Sequence, residues 1–130
     1  MNEDLTIGGL AKAAAVNVET IRYYQRRSLM EEPSKPPGGH RRYPPSAVSR
    51  VRFIKRAQQL GFTLEEIAEL LRLEDRQSCV ETRLLAERKL DSIEKRIADL
   101  TRMQRSLKGL IAECVGDPRS CPIIATLSAP

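Results

Sequence analysis

The 130-residue chain is long enough for a small core plus one projecting helix, and it carries a net charge of +5. It has no basic-then-apolar leader pattern and no apolar run near the roughly 18 residues that span a bilayer, so neither secretion nor a membrane anchor is expected and the cytoplasm is the expected compartment. Three cysteines, Cys79, Cys114 and Cys121, cannot all pair within one chain, which argues against a disulfide scaffold and for reduced thiols.

Thr6 is placed to cap a short helix through Leu10 to about Ala14, and Asn17 to cap a second from Val18 to about Arg27. Two short helices across a tight connection make a helix-turn-helix candidate. Breakers follow, with Pro33, Pro36, Pro37, Gly38 and Gly39 ahead of His40-Arg41-Arg42-Tyr43, a composition that suggests a β-hairpin-like wing. A third helix opens at Pro45 or Ser46, shows apolar positions Val48, Val51, Phe53, Ile54 and Ala57, and ends near Leu60 before Gly61. Thr63 and Glu66 read as a capping box that starts a fourth helix through Ile67, Leu70 and Leu71. The apolar residues of this head are few, and Phe53, Ile54 and Phe62 are expected to supply much of its core.

Val80 to Glu113 contains no Pro and only Gly109, so one long helix is expected. Stepping alternately four and three residues gives Cys79, Arg83, Ala86, Leu90, Ile93, Ile97, Leu100, Gln104, Leu107, Ile111 and Cys114, and from Ala86 to Ile111 every position but Gln104 is apolar. Such a seam predicts a coiled coil whose simplest partner is the same helix of a second chain. Gly116 and Pro118 then end the helix, and Pro122 onward reads as a short helical cap.

Charge is unevenly divided along these elements. Residues 1–62 hold 11 Lys and Arg against 5 Asp and Glu, whereas residues 63–130 hold 11 against 12. The basic half therefore points to a polyanion such as double-stranded DNA. In a helix-turn-helix the start of the second helix reaches base edges, which nominates Glu19, Thr20 and Arg22, and Arg22 above all because a guanidinium bridges guanine O6 and N7. Tyr23, Tyr24 and Arg26 fall next on the same helix, at positions that touch DNA backbone or core, and one of the two tyrosines must face inward.

Cys79 and Cys114 lie 35 residues apart, five heptads along one seam. At about 1.5 Å rise per residue they are about 50 Å apart in one chain and cannot share a ligand in cis. A parallel dimer would bring each Cys to its own copy; an antiparallel dimer centred near Ile97 brings Cys79 beside the partner chain's Cys114, and Cys121 can fold back to the same place. That arrangement yields two equivalent sites per dimer, each with three sulfurs, a set suited to a soft thiophilic ion rather than to four-coordinate structural zinc. Arg119 would offset part of the accumulated negative charge. His40, in the wing, is a surface or DNA-backbone residue and not a ligand.

Thr6-Ile7-Gly8, Asn17-Val18-Glu19-Thr20-Ile21-Arg22-Tyr23-Tyr24, Arg41-Arg42-Tyr43, Arg52-Phe53-Ile54-Lys55 and Leu60-Gly61-Phe62-Thr63-Leu64-Glu65-Glu66-Ile67 together resemble the winged helix-turn-helix head of MerR family transcriptional regulators. Cys79, the long helix, Cys114 and Cys121-Pro122-Ile123-Ile124 are similar to the family's mercury-responsive subgroup, while cadmium- and lead-responsive relatives use a comparable trio. The resemblance covers essentially the whole chain. It implies a mainly all-α fold: a winged helix-turn-helix head with a small β wing (1–75), an antiparallel coiled-coil dimerisation helix (76–114) and a short metal-binding loop and tail (115–130). It also implies that Lys35, Arg41 and Arg42 reach phosphates or the minor groove while Tyr43 packs the wing onto the head. By the same resemblance, the homodimer sits on a promoter whose spacer is too long and represses it. On binding Hg(II), or alternatively Cd(II) or Pb(II), through Cys79, Cys114 and Cys121 it distorts the DNA so that RNA polymerase can use it. An enzyme is not expected: a thiol redox catalyst would want a Cys-x-x-Cys pair and a substrate pocket, and a sequestering protein or coiled-coil adaptor leaves the basic head without a purpose.

Overall fold

The computed structural model describes residues 3–114, 116 and 121–130. Among them six helices follow in chain order: α1 (Ile7–Ala14), α2 (Val18–Arg26), α3 (Ser46–Gln59), α4 (Leu64–Arg76), α5 (Cys79–Glu113) and α6 (Pro122–Ser128). Two compact units result, one ending at Leu85 and one beginning at Ala86.

The starts of α1, α2 and α4 are set by side chains that accept orphan backbone N–H groups, whereas α3 opens on Pro45 without a side-chain cap. Thr6 Oγ1 accepts from Gly9 N at 3.1 Å and Asn17 Oδ1 from Thr20 N at 2.8 Å. At α4 the capping box closes in both directions, Glu66 N donating to Thr63 Oγ1 at 3.2 Å and Thr63 N to Glu66 Oε1 at 2.8 Å. Helix α1 ends on Ala15 in the left-handed region, with φ 57°. A Cβ is unfavourable there by about 1–2 kcal/mol, so Ala15→Gly is expected to stabilise the head by up to about 1 kcal/mol once the greater freedom of Gly in the unfolded chain is subtracted. A rise in the urea midpoint at unchanged slope checks this.

The head's core is built from Leu10, Ile21, Val51, Ile54 and Ile67, all fully buried, with Tyr24 and Tyr43 each 2% exposed. Ile54 takes the central place the sequence suggests, but Phe53 and Phe62 are only partly buried and pack against the rim. The reason is periodicity: Val51, Ile54 and Ala57 already fill the inward stripe of α3, which leaves Phe53 to one side of it.

Residues 33–43 do not pair with themselves as a hairpin. Gly39 N closes a turn on Pro36 O at 3.1 Å, and the one β-bridge among the described residues joins Tyr43 to Leu5 through two 2.7 Å hydrogen bonds. Prolines at 33, 36 and 37 lack the N–H groups a second strand would need, so the segment is anchored to the chain ahead of α1 instead.

Leu85, in the second turn of α5, is 8% exposed and belongs to the head's core. In the second unit the rest of α5 leaves Leu90, Ile93, Ile97, Leu100, Met103, Leu107 and Ile111 exposed by 38–61%. Met103 thus joins the apolar stripe beside Gln104, the polar interruption in the counted seam. No helix of the described residues is long and apolar enough to cross a membrane.

Candidate DNA interface and thiol positions

Helix α2 divides cleanly into two faces. Ile21 and Tyr24, three residues apart, point inward, and Glu19, Arg22, Tyr23 and Arg26 stand outward. Tyr24 is held by its hydroxyl, which donates to Gln58 Oε1 on α3 at 2.7 Å. Burial, with a smaller contribution from neighbouring Tyr23, pushes this phenol above its ordinary value and keeps it a donor. Tyr24 therefore leaves the set of expected DNA contacts. Tyr43 leaves it as well, since it is buried under the bridge to Leu5 and its hydroxyl accepts from Gln25 Nε2 at 2.7 Å. Thr20 is half-buried, and its hydroxyl donates back to Asn17 Oδ1 at 2.8 Å, so its first task is the α2 cap.

Of the outward residues, Arg22 and Arg26 line a groove of about 440 Å³ between α2 and residues 32–43, whereas Glu19 and Tyr23 line a separate concavity that Arg26 shares. Arg22, Arg26, Lys35, His40 and Arg41 converge on the groove, with Thr6 at its edge. Two of the cations are pre-aimed. Arg26 pairs with Glu19 at 2.9 Å and lies over the Tyr23 ring at 5.8 Å; Arg41 donates through Nε to Pro33 O at 2.9 Å and pairs with Glu32 at 3.2 Å. Exposed pairs of this kind are worth about 0–1 kcal/mol, so either arginine can exchange its carboxylate for a phosphate at little cost. Arg42, adjacent to Arg41 in sequence, lines a different concavity of about 660 Å³ with Arg50. The two neighbours alternate sides of an extended segment. Gln25 and Thr6 also line the groove; the sequence marks Thr6 only as a helix cap and part of a family motif, and nothing in it separates Gln25 from ordinary polar surface.

The cysteines carry free thiols: Cys79 and Cys114 are exposed and Cys121 is half-buried. Cys79 is the first residue of α5, Cys114 follows its last, and Cys121 is the N-cap residue of α6, with Pro122 at the first helical position. Among the described residues of one chain, no three His, Cys, Asp or Glu side chains gather into a metal-holding group. Arg119, expected to balance charge near the thiols, lies outside the described residues, as do Pro118 and Ser120.

The chain matches the family described as "MerR HTH family regulatory protein" over residues 5–74 and the one described as "MerR, DNA binding" over residues 48–110. It is 56% identical over 127 residues to the mercuric resistance operon regulatory protein of Pseudomonas fluorescens, covering 96% of this chain and 88% of that one. A MerR from Bacillus megaterium solved with mercury(II) is 40% identical and superposes with a TM-score of 0.74 over 96% of this chain and 100% of that one. A transcription regulator from Ralstonia metallidurans solved with lead(II) is 31% identical, with a TM-score of 0.85 over 95% of this chain and 99% of that one.

Proposed function

Because this chain belongs to the MerR family of helix-turn-helix transcription regulators, we propose that it binds promoter DNA as a homodimer and switches transcription in response to mercury(II). The observation that carries the metal assignment is the 56% identity to a mercuric resistance operon regulator across nearly the whole chain, all three thiols falling in a fold otherwise shared with metal-bound relatives. The donor chemistry fits. Three unpaired sulfurs, each at the end of a helix, offer the soft ligand set a thiophilic ion takes. Five heptads separate Cys79 from Cys114, which excludes a site within one chain, and in an antiparallel dimer each site joins Cys79 of one chain to Cys114 and Cys121 of its partner.

Without metal the dimer holds the promoter in a form RNA polymerase cannot use. With metal bound, the dimer distorts the DNA and the polymerase proceeds. Lead(II) is the second reading, favoured by the higher TM-score of the lead complex; that score reports backbone agreement, whereas identity reports side chains. A titration with Hg(II), Cd(II), Pb(II) and Zn(II) under excess small-molecule thiol, followed by ultraviolet sulfur-to-metal absorption, separates them. Mercury is expected to be retained at two per dimer while the others are stripped; lead or cadmium retained in its place refutes the assignment.

At the DNA, Arg22 reads a base and Arg41 a phosphate. Arg22→Ala is expected to cost about 1–3 kcal/mol on the cognate duplex and little on random sequence. Arg41→Ala is expected to weaken both alike and to lower the salt dependence by about one ion. Fluorescence anisotropy on both duplexes at several salt concentrations measures the difference, and equal losses from Arg22→Ala refute base reading.

A further inference from the structure

Three polar side chains on one stripe of α3, at i, i+3 and i+6, reach the helix-turn-helix from behind. Arg52 Nη2 donates to Ala13 O at 3.0 Å, Lys55 Nζ donates to Ala15 O at 3.0 Å, and Gln58 Oε1 accepts from Tyr24 at 2.7 Å. The two carbonyls lie where α1 ends and turns toward α2. Carbonyls at a helix C-terminus have no partner within the helix and carry its negative dipole end, so cations from a neighbouring helix are suited to hold them. Helix α2 packs on α1, and α1 on α3. The pose of the recognition helix is therefore set through the end of α1, which Arg52 and Lys55 grip, and through Tyr24, which Gln58 grips.

We propose that Arg52 and Lys55 are positioning residues for operator recognition: as a cationic latch on the C-terminal carbonyls of α1 they fix the angle at which α2 presents its outward side chains. This rests on α2 being the base-reading helix. A bidentate contact to a base edge requires its supporting residues to hold position within about 0.5 Å, whereas phosphate contacts tolerate displacement. Loosening the latch should thus cost discrimination and leave general DNA affinity intact. A direct phosphate contact by the same cations would do the opposite.

The test uses the full-length dimer, a duplex selected by the wild-type protein from a random pool, and a scrambled duplex of equal composition. Arg52→Met with Lys55→Met is expected to lower the selected-over-scrambled affinity ratio about tenfold, the equivalent of one charge-assisted hydrogen bond, with the scrambled affinity and salt slope unchanged. Arg52→Lys and Lys55→Arg, which keep a charged donor, are expected to restore the ratio. Should the double variant fail to fold by circular dichroism, Arg52→Gln alone carries the same comparison. An unchanged ratio, or a loss shared by both duplexes with a shallower salt slope, overturns the latch. Arg22→Ala run in parallel separates the two levels: if it lowers the ratio and the latch variants do not, only the latch fails, and if it too leaves the ratio unchanged, the recognition role of α2 falls and takes the latch with it.

Discussion

Ile97→Asp is expected to convert the protein to monomers and abolish operator binding. Ile97 belongs to the apolar stripe, stands close to the midpoint between Cys79 and Cys114, and is 57% exposed in the single chain. In an antiparallel pair of α5 helices the two copies of position 97 meet near the centre. Each substitution then buries a carboxylate without a partner, at an effective cost of several kcal/mol per ion, and the dimer carries two. That exceeds what a seam of seven half-exposed apolar residues per chain can spare, and the expected rise in the dimer dissociation constant is more than thousandfold. The head, whose core is separate, should keep its helicity. Sedimentation equilibrium with a parallel gel-shift titration gives both readings. A wild-type protein that sediments as a stable monomer at micromolar concentration would falsify the coil assignment.

Changing any one of Cys79, Cys114 or Cys121 to Ala is expected to leave metal-free DNA binding within about twofold and to remove mercury-induced transcription altogether. Cys79 and Cys114 are exposed and Cys121 is half-buried, and none belongs to the head's core, so truncation leaves no core cavity to destabilise the heads. A three-thiolate site reduced to two loses both affinity and geometry, whereas the DNA groove keeps Arg22, Arg26, Lys35 and Arg41 in place. In vitro transcription with purified polymerase measures the loss, and a Cys114→Ala protein that still responds to mercury removes that residue from the site.

Features written in local patterns are legible in the sequence. Thr6, Asn17 and the Thr63/Glu66 box announce helix starts because capping depends on residues three apart, and the unbroken stretch to Glu113 announces α5 because nothing in it stops a helix. Features decided by tertiary competition are not. The segment around Pro36 has turn composition, but whether it pairs with itself depends on Leu5, far away in sequence. Of two adjacent tyrosines, Tyr24 is the buried one because it shares the core-facing side of α2 with Ile21, and Tyr43 is drawn inward by Leu5 and Gln25. Arg41 and Arg42 look equivalent in the chain yet face different concavities. Arg52 and Lys55 read as ordinary surface charge until the carbonyls they hold are seen across more than one helix. The cysteine trio is legible as spacing alone, and among the described residues of one chain the three thiols do not gather into a metal-holding group.

The proposal that each mercury site is shared between two chains is tested most directly by a mixed dimer. One chain carries Cys79→Ala and the other carries Cys114→Ala with Cys121→Ala, each with a different affinity tag so that the heterodimer can be isolated. Neither mutant homodimer retains a complete site. In the heterodimer the intact Cys79 of the second chain faces the intact Cys114 and Cys121 of the first, and one Hg(II) per dimer is expected to survive thiol competition. A heterodimer that holds mercury no more tightly than either mutant homodimer contradicts the trans-chain site.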